Sequence, residues 1–203
     1  MRGGFSGMKK DLGIDQSLSK CAFSFSIEGK PVKFKLSKTG SGSVKNKRPD
    51  TTYYECLHDQ IHHVCNSLHD YVTDFKPDRI TFEALSFASV GNATRNLACL
   101  YGAMREILRV DFPDIPVYEV APTSLKSFGR ELLPYEQQFD GVLKTGKPKK
   151  VKMDKKLMVE AAKTEFGNTL FRGYNYSSGL DDVADASILA LKTWGTYGSK
   201  KDT

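Results

Sequence analysis

Apolar and polar positions along the chain lay out its elements before any chemistry is considered. Residues 10–17 and 20–27 are apolar runs of strand length. E-G-K at 28–30 makes a turn, and V-K-F-K-L at 32–36 alternates apolar with basic residues. That pattern predicts an antiparallel meander with one lysine-rich face. Residues 38–50, full of Gly, Ser and Lys, read as loop. From 52 to 75 a helix is predicted, because Tyr54, Leu57, Ile61, Val64, Leu68, Tyr71 and Phe75 recur at helical spacing, and Pro77 stops it. Arg79 to Glu83 is a strand. A second helix over 92–110 carries Leu97, Leu100, Met104, Ile107 and Leu108 on its apolar stripe, and Ile115 to Val120 is a further strand. Pro122 suits the first turn of a third helix reaching about residue 132. Residues 133–152 read as a long loop, 154–166 as helix, 167–180 as loop and 181–194 as the final helix. The tail after Trp194 is expected to fray.

The order β-β-β-α-β-α-β-α-α predicts an α/β fold. Its centre is a mixed five-stranded sheet, three antiparallel meander strands plus two parallel ones, flanked by helices. The 203 residues suffice for one domain with a sizeable core. Residues 9–194 are assigned to that domain, 1–8 to a disordered lead-in or cloning remnant, and 195–203 to a tail. No apolar run approaches the length of a membrane span, and the first ten residues lack the apolar stretch of a secretory signal. With Cys21, Cys56, Cys65 and Cys99 all in apolar-periodic segments, buried free thiols and a reducing, cytoplasmic setting are expected.

Charge changes the picture. The net charge is +6, from 30 basic and 24 acidic residues. Lys30 to Arg48 holds seven basic residues and no acid, and Lys144 to Lys156 holds seven lysines and one acid. The rest of the chain carries 16 basic against 23 acidic residues. The whole positive excess thus sits in two segments. A charge run alone suits a solvated loop; beside an acidic site it suits a phosphate backbone.

The acidic site is read from Asp15, Glu83, Asp182 and Asp185. Asp15 and Glu83 end apolar strands (D-L-G-I-D and R-I-T-F-E), and ligands of such sheets gather near strand carboxyl ends. Asp182 and Asp185 stand three residues apart on one face of the last helix. Two unit charges ~4 Å apart repel by ~4 kcal/mol at an effective dielectric of ~20, so such a cluster needs protons or cations. Oxygen-only ligands suit Mg²⁺, with Mn²⁺ as an alternative. Two such ions per site would cleave phosphodiesters.

G-I-D-Q-S on the first strand, F-E-A-L on the fourth and D-D-V-A-D-A on the last helix resemble the RuvC family of Holliday-junction resolvases, over roughly residues 10–192. The resemblance implies a ribonuclease H-like fold and a structure-selective, metal-dependent DNA endonuclease that resolves four-way junctions by symmetric nicking. The inserted basic loops look more like a phage or other viral member. The second acid discriminates among relatives: ribonuclease H takes it from the first helix and proofreading-type exonucleases from a first-strand D-x-E, whereas here Glu83 ends the fourth strand. Carried over by position, Asp15, Glu83, Asp182 and Asp185 are the metal-binding catalytic acids. Asp181 competes with Asp182, which matches the spacing; Asp181 could instead cap the helix.

The resemblance also implies catalytic lysines, at Lys126 in A-P-T-S-L-K and Lys155 in M-D-K-K-L, with Lys152 and Lys156 as rivals for the latter. Family members place an aromatic after the fourth-strand acid; here Phe87 stands one residue beyond the usual place, which Ser86 holds. Arg95 and Asn96 could touch phosphates. Lys147, Lys149, Lys150 and Lys152 complete the DNA-binding set. A two-fold four-way junction implies a homodimer, formed in the family through the helix at 92–110. The rival readings are a YqgF-like RNA-processing nuclease and a non-catalytic branched-DNA-binding protein.

Two other groupings carry less. His58, His62, His63, Cys65 and His69 crowd one helix, and zinc is imaginable there. No H-E-x-x-H appears, so a polar helix flank is expected. R-G-Y-N-Y at 172–176 reads equally as a nucleic-acid contact or as a loop packed beside the acids.

Overall fold

A computed structural model describes residues 7–85 and 91–198. The expectations for Phe87, for the first six residues and for the last five lie outside the described residues. The sheet has six strands in the order β4-β3-β2-β1-β5-β6. They are β1 (Lys10–Asp15), β2 (Lys20–Ile27), β3 (Lys30–Ser41), β4 (Thr52–Tyr54), β5 (Arg79–Glu83) and β6 (Val117–Val120). β1, β2 and β3 form the expected antiparallel meander, and β5 and β6 run parallel to β1. The helices are α1 (Leu57–Phe75), α2 (Asn92–Asp111), α3 (Pro122–Glu131), α4 (Lys155–Phe166) and α5 (Leu180–Thr193).

Three segments differ from their expected state. Thr52–Tyr54 is not the first turn of α1 but a short strand pairing in parallel with Thr39–Ser41, so the sheet gains a sixth member. Tyr54 fits the helical stripe by spacing, but β-prone Thr and Tyr beside an unpaired edge join the sheet instead. β3 correspondingly runs on into the Gly/Ser segment. Within the expected 133–152 loop, β7 (Phe139–Val142) and β8 (Pro148–Lys150) form a separate antiparallel hairpin. The chain also does not fray at Trp194: residues 194–198 continue α5 as a π-helical turn.

Strand parity divides the core into two layers. Leu12 and Ile14 of β1, Phe23 and Phe25 of β2 and Ile80 and Phe82 of β5 pack against α1 and α2. The alternate positions face α5, with α3 and α4 behind it. On that second face lie Asp11, Gly13 and Asp15 of β1, and Arg79, Thr81 and Glu83 of β5. Both acids predicted at strand ends therefore emerge on the same side of the sheet, where α5 passes.

Gly13 decides how closely α5 passes. A Cβ at this position would lie 2.0 Å from the Ala186 carbonyl oxygen and 2.9 Å from the Ala190 backbone nitrogen. Ala22, Ser24 and Ser26 of β2 are fully or nearly fully buried beside it, and α5 answers with Ala184, Ala186, Ser187 and Ala190. Small residues on both surfaces bring backbone against backbone. The end of α5 away from the acids is pinned separately. Thr81 donates to Thr193 at 2.8 Å, and Arg79 lies over the Trp194 ring, 5.3 Å from its centroid. The same Arg79 pairs with buried Asp11 through Nε–Oδ1 at 2.7 Å and Nη2–Oδ2 at 3.2 Å, tying β5 to β1.

The polar flank of α1 is satisfied locally. Tyr54 Oη and His63 Nδ1 share a hydrogen bond of 2.9 Å, and His62 bonds Asn66 at 3.0 Å. His69 lies near Asp70 and Asp111 at 3.8 and 3.9 Å. Cys21 and Cys65 are buried free thiols as expected, but Cys56 and Cys99 are exposed. Cys56 directly precedes α1, and Cys99 falls on the outer side of α2, away from Leu100 and Met104.

Because the α5–β1 approach is backbone against backbone, Gly13→Ala has no flexible neighbour to displace. We expect it to destabilise the protein by about 3 kcal/mol or more, read as a lower denaturant midpoint at unchanged slope. Gly102 in α2 is exposed with nothing within 4 Å of an added Cβ, and Gly102→Ala should stabilise by about 0.5–1 kcal/mol. A wild-type midpoint for Gly13→Ala would contradict the packing account.

Candidate active site

The acids meet where the carboxyl ends of β1 and β5 face the first turn of α5. Asp15 ends β1 and Glu83 ends β5. The two ends are stitched together by Gln16, whose side-chain amide donates to the Glu83 carbonyl oxygen at 2.5 Å. The start of α5 is set by the preceding loop: the Asn175 carbonyl accepts from the backbone N–H groups of Ser178, Gly179 and Leu180 at 2.9–3.0 Å. Gly179 takes the cap position at φ +107, a left-handed conformation that glycine adopts without strain. A Cβ there would also come within 3.2 Å of Asp182 Oδ2.

Asp181 therefore does not cap the helix. It sits inside the first turn, 5% exposed, and accepts a short hydrogen bond from Lys155. Lys155 is the first residue of α4, whose start is fixed by Asp154 accepting from the Leu157 N–H at 2.9 Å. Of the three rival lysines it is Lys155, not Lys152 or Lys156, that holds Asp181. Asp182 is answered by a residue that no motif marks: Lys20 Nζ lies 3.0 Å from Asp182 Oδ2. Strand parity could have found it, since Lys20 shares a face with Ala22 and Ala22 is paired with Asp15. Lys126, in α3, acts on Glu83 from an exposed position.

Burial and mutual repulsion dominate the electrostatics. Burial pushes the Asp15 carboxyl well above its ordinary value, and Asp185, Glu83, Asp182 and Asp181 push it further. Asp185 is pushed up to about 7, first by burial, then by Glu83, Asp181 and Asp182, with Lys155 opposing. Glu83 is raised by burial, with Lys126 opposing. For Asp181 burial also favours the neutral form, but the Lys155 hydrogen bond, with help from Lys20, leaves the carboxyl below its ordinary value. Charges at the N-terminus of a helix gain only about 0.3–1 kcal/mol from its dipole. That is too little against repulsions of several kcal/mol per close pair. What holds this turn in place is the burial of Leu180, Val183, Ile188 and Leu189 behind it, at about 1.5–3 kcal/mol each.

The acids are also short of partners. Asp181 Oδ1, Asp182 Oδ2 and Asp185 Oδ1 are buried without a hydrogen bond; the Lys20–Asp182 contact is an ion pair without hydrogen-bond alignment. Buried carboxylate oxygens left without donors favour a cation, and an all-oxygen set suits Mg²⁺ or Mn²⁺. Among the described residues no group of three or more His, Cys, Asp or Glu side chains is already assembled to hold an ion. Uncompensated like charges oppose such an assembly. The residue types and their unmet oxygens fit a divalent ion that would draw them together.

The proposed DNA-contacting residues fall into two places. Arg95 is exposed in the first turn of α2, and Asn96 lines a cleft of about 360 Å³ with Gln16, Ser17, Leu18 and Ser19, immediately beside Asp15. Lys147, Lys149 and Lys150 lie on the β7–β8 hairpin and its turn, with Lys152 just beyond, all exposed. Tyr174 packs edge-on against Phe34, with ring centroids 6.0 Å apart, while Tyr176 is 45% exposed. The 172–176 loop is thus both a packed support and a surface.

The fold is that of the RuvC-type resolvases. Thermus thermophilus RuvC in complex with a Holliday junction substrate superposes with a TM-score of 0.61 at 13% identity, over 94% of this chain and 97% of that one. The yeast mitochondrial Holliday junction resolvase gives 0.57 at 17% identity, over 96% and 82%. The fowlpox virus Holliday junction resolvase gives 0.51 at 14% identity, over 92% and 99%. No protein-family model and no curated protein matches the sequence. The likeness therefore rests on architecture: an α/β fold with a mixed sheet flanked by helices.

A sign follows for pH dependence. In the folded state Asp15 and Asp185 hold protons that the unfolded chain has already lost above its ordinary carboxylate range. Their contribution to stability is fully present below that range and is lost as pH rises through the raised folded-state values, about 7 for Asp185. Asp181, with its lowered value, acts in the opposite sense only at acid pH. The melting temperature in chelator should fall between pH 5 and pH 8, and Mg²⁺ should raise it more at pH 8 than at pH 5. Asp185→Asn should flatten the metal-free pH slope. A melting temperature that climbs over this range in chelator would contradict the assignment.

Proposed function

We propose that the protein is a structure-selective, metal-dependent DNA endonuclease that resolves four-way junctions. The observation that carries this reading is the meeting of Asp15, Glu83 and the acids of α5 at one end of the sheet, with carboxylate oxygens left unmet. The similar yeast mitochondrial and fowlpox structures, both named Holliday junction resolvases, and the RuvC structure with a Holliday junction substrate support the substrate class. We place the chain among phage or other viral members on account of its two basic insertions, and treat residues 9–194 as a single nuclease unit.

Asp15, Glu83, Asp182 and Asp185 would hold two Mg²⁺ ions. Bound there, such ions would supply Lewis acidity to make water nucleophilic at neutral pH and to neutralise a leaving 3′-oxygen. The chain's own groups do the rest. Gln16 fixes the end of β5 against β1, so that Asp15 and Glu83 present their oxygens together. Asp181 is assigned to Lys155 rather than to metal: it holds the ammonium at the rim, where it meets the negative charge developing on the scissile phosphate. Lys126 serves through its charge on Glu83. Lys20 compensates Asp182 until a divalent ion takes over. Arg95 and Asn96 engage the backbone leading to the cleft, and Phe87 contacts the opened bases. A four-way junction is two-fold symmetric, so two sites are needed, and a homodimer through the outer side of α2 would supply them.

With a synthetic four-way junction and Mg²⁺ we expect paired nicks at symmetric positions, leaving 5′-phosphates. Asp15→Asn and Asp185→Asn should reduce the rate by roughly a thousandfold, as loss of several kcal/mol of charge stabilisation requires. Lys155→Ala should reduce it less and leave junction affinity nearly unchanged. Binding without nicks across Mg²⁺, Mn²⁺ and Ca²⁺ would favour a non-catalytic junction-binding protein, and preferential cutting of structured RNA would favour an RNA-processing nuclease.

A further inference from the structure

The β7–β8 hairpin serves neither the core nor the acids. Residues 140–150 are all exposed, and among the described residues no helix or strand covers either face of the blade. A bare two-stranded hairpin is marginal in water, so this one depends on its base. There the Tyr135 and Phe139 rings meet with centroids 5.2 Å apart, Gln138 donates to the Leu133 carbonyl at 2.8 Å, and Arg130 donates to the Val151 carbonyl at 3.0 Å. The Val151 N–H closes the base on the Gln138 carbonyl at 2.9 Å. A register shift at Asp140–Gly141 interrupts the pairing of the blade, which increases its twist.

The composition of the blade is specific. It carries Lys144, Lys147, Lys149 and Lys150 against one acid, Asp140. At its turn two large apolar side chains face water, Val142 at 69% and Leu143 at 47% exposure. A solvated surface hairpin has no need of exposed Val and Leu. Its roots are equally specific. The hairpin leaves α3, which carries Lys126, and enters α4, which begins with Lys155. From Lys150 to Lys155 the chain can span at most about 18 Å, so the blade stands within one turn of a double helix of the candidate active site.

We infer that the β7–β8 hairpin is a DNA arm that grips one duplex of the branched substrate, with its lysines on phosphates and Val142 and Leu143 against bases opened at the branch point. The inference rests on the nuclease reading given above. A two-stranded ribbon matches the width of the major groove, the positive blade complements the phosphate backbone, and apolar side chains are the groups that wedge against unstacked bases. The blade sets affinity and branch selectivity; it does not touch the acids.

The test separates binding from cleavage by using Ca²⁺ in place of Mg²⁺. Affinity of the full-length chain is measured for a four-way junction and for linear duplex of the same length, across a range of salt, with 2-aminopurine at the branch. Two variants are compared with wild type. In the first, Lys144, Lys147, Lys149 and Lys150 are all changed to Gln. Its affinity for both DNAs should fall, and the slope of log K against log salt should drop by about 0.9 for each phosphate that is no longer neutralised. In the second, Val142→Ser with Leu143→Ser, junction affinity should fall by about tenfold with duplex affinity unchanged, and the 2-aminopurine fluorescence rise should disappear. Melting temperatures of both variants should match wild type, because the substituted side chains are exposed and the contacts at the base of the hairpin are untouched. Wild-type salt slope, selectivity and fluorescence in both variants would overturn the arm and leave the nuclease reading intact. A wild-type protein with no affinity for branched DNA would overturn both.

Discussion

The backbone-to-backbone approach of α5 to β1 is the constraint on which the rest of the structure depends. Gly13 allows it, and the alanines and serines of β2 and α5 extend it into a seam. Without the seam, the first turn of α5 would stand a side chain's thickness further from the sheet, and its aspartates would not share a site with Asp15 and Glu83. The two ends of the helix are then fixed by different chemistry. At one end Trp194, Arg79, Asp11 and Thr81 join α5, β5 and β1 through cation–π, ionic and hydrogen-bond interactions. At the other, like charges accumulate. A rigid, well-packed far end lets the near end carry a repulsive cluster without moving away.

That cluster is only partly neutralised by the chain itself. Lys155 and Lys20 each answer one aspartate of α5, and Lys126 answers Glu83 at a distance. Asp15 and Asp185 are left to protons. The division is informative. The two acids without an ion pair to lysine are those most strongly raised, first by burial and then by their acidic neighbours. A divalent ion would therefore compete with protons at Asp15 and Asp185 and with the Lys20 ammonium at Asp182.

How much of this was legible beforehand follows from the kind of signal each residue gives. Asp15 and Glu83 were readable because a strand end and a period of two place a side chain without further information. The i, i+3 spacing marked Asp182 and Asp185 in the same way. Lys20 and the true position of Asp181 were not, because each depends on pairing between distant segments: β2 with β1 for the first, α4 with α5 for the second. Tyr54 misled for a related reason, since its spacing suits a helix while its environment is the open edge beside β3. The β7–β8 hairpin escaped because Gly, Lys and Pro give no alternation, and the hydrogen bonds that hold its base come from Arg130, Gln138 and the Leu133 and Val151 carbonyls.

The two basic segments have opposite structural fates, which bears on how charge should be read from sequence. Lys33 and Lys35 of the first segment line a cleft with Tyr71, Asp74 and Phe75 of α1, on the side of the sheet away from the acids. Lys38 pairs with Asp50 at 2.5 Å. Much of that run is thereby committed to the protein's own surface. In the second segment Lys155 is committed to Asp181, but on the hairpin the opposing acid is Asp140, 3.6 Å from Lys149, and an exposed pair of this kind is worth about 0–1 kcal/mol. Among the described residues the rest of the hairpin's lysine charge, at Lys144, Lys147 and Lys150, has no carboxylate within ion-pair distance. Equal runs of lysine thus differ in what they offer a polyanion, and the difference comes from whether the fold places carboxylates and aromatic rings within reach.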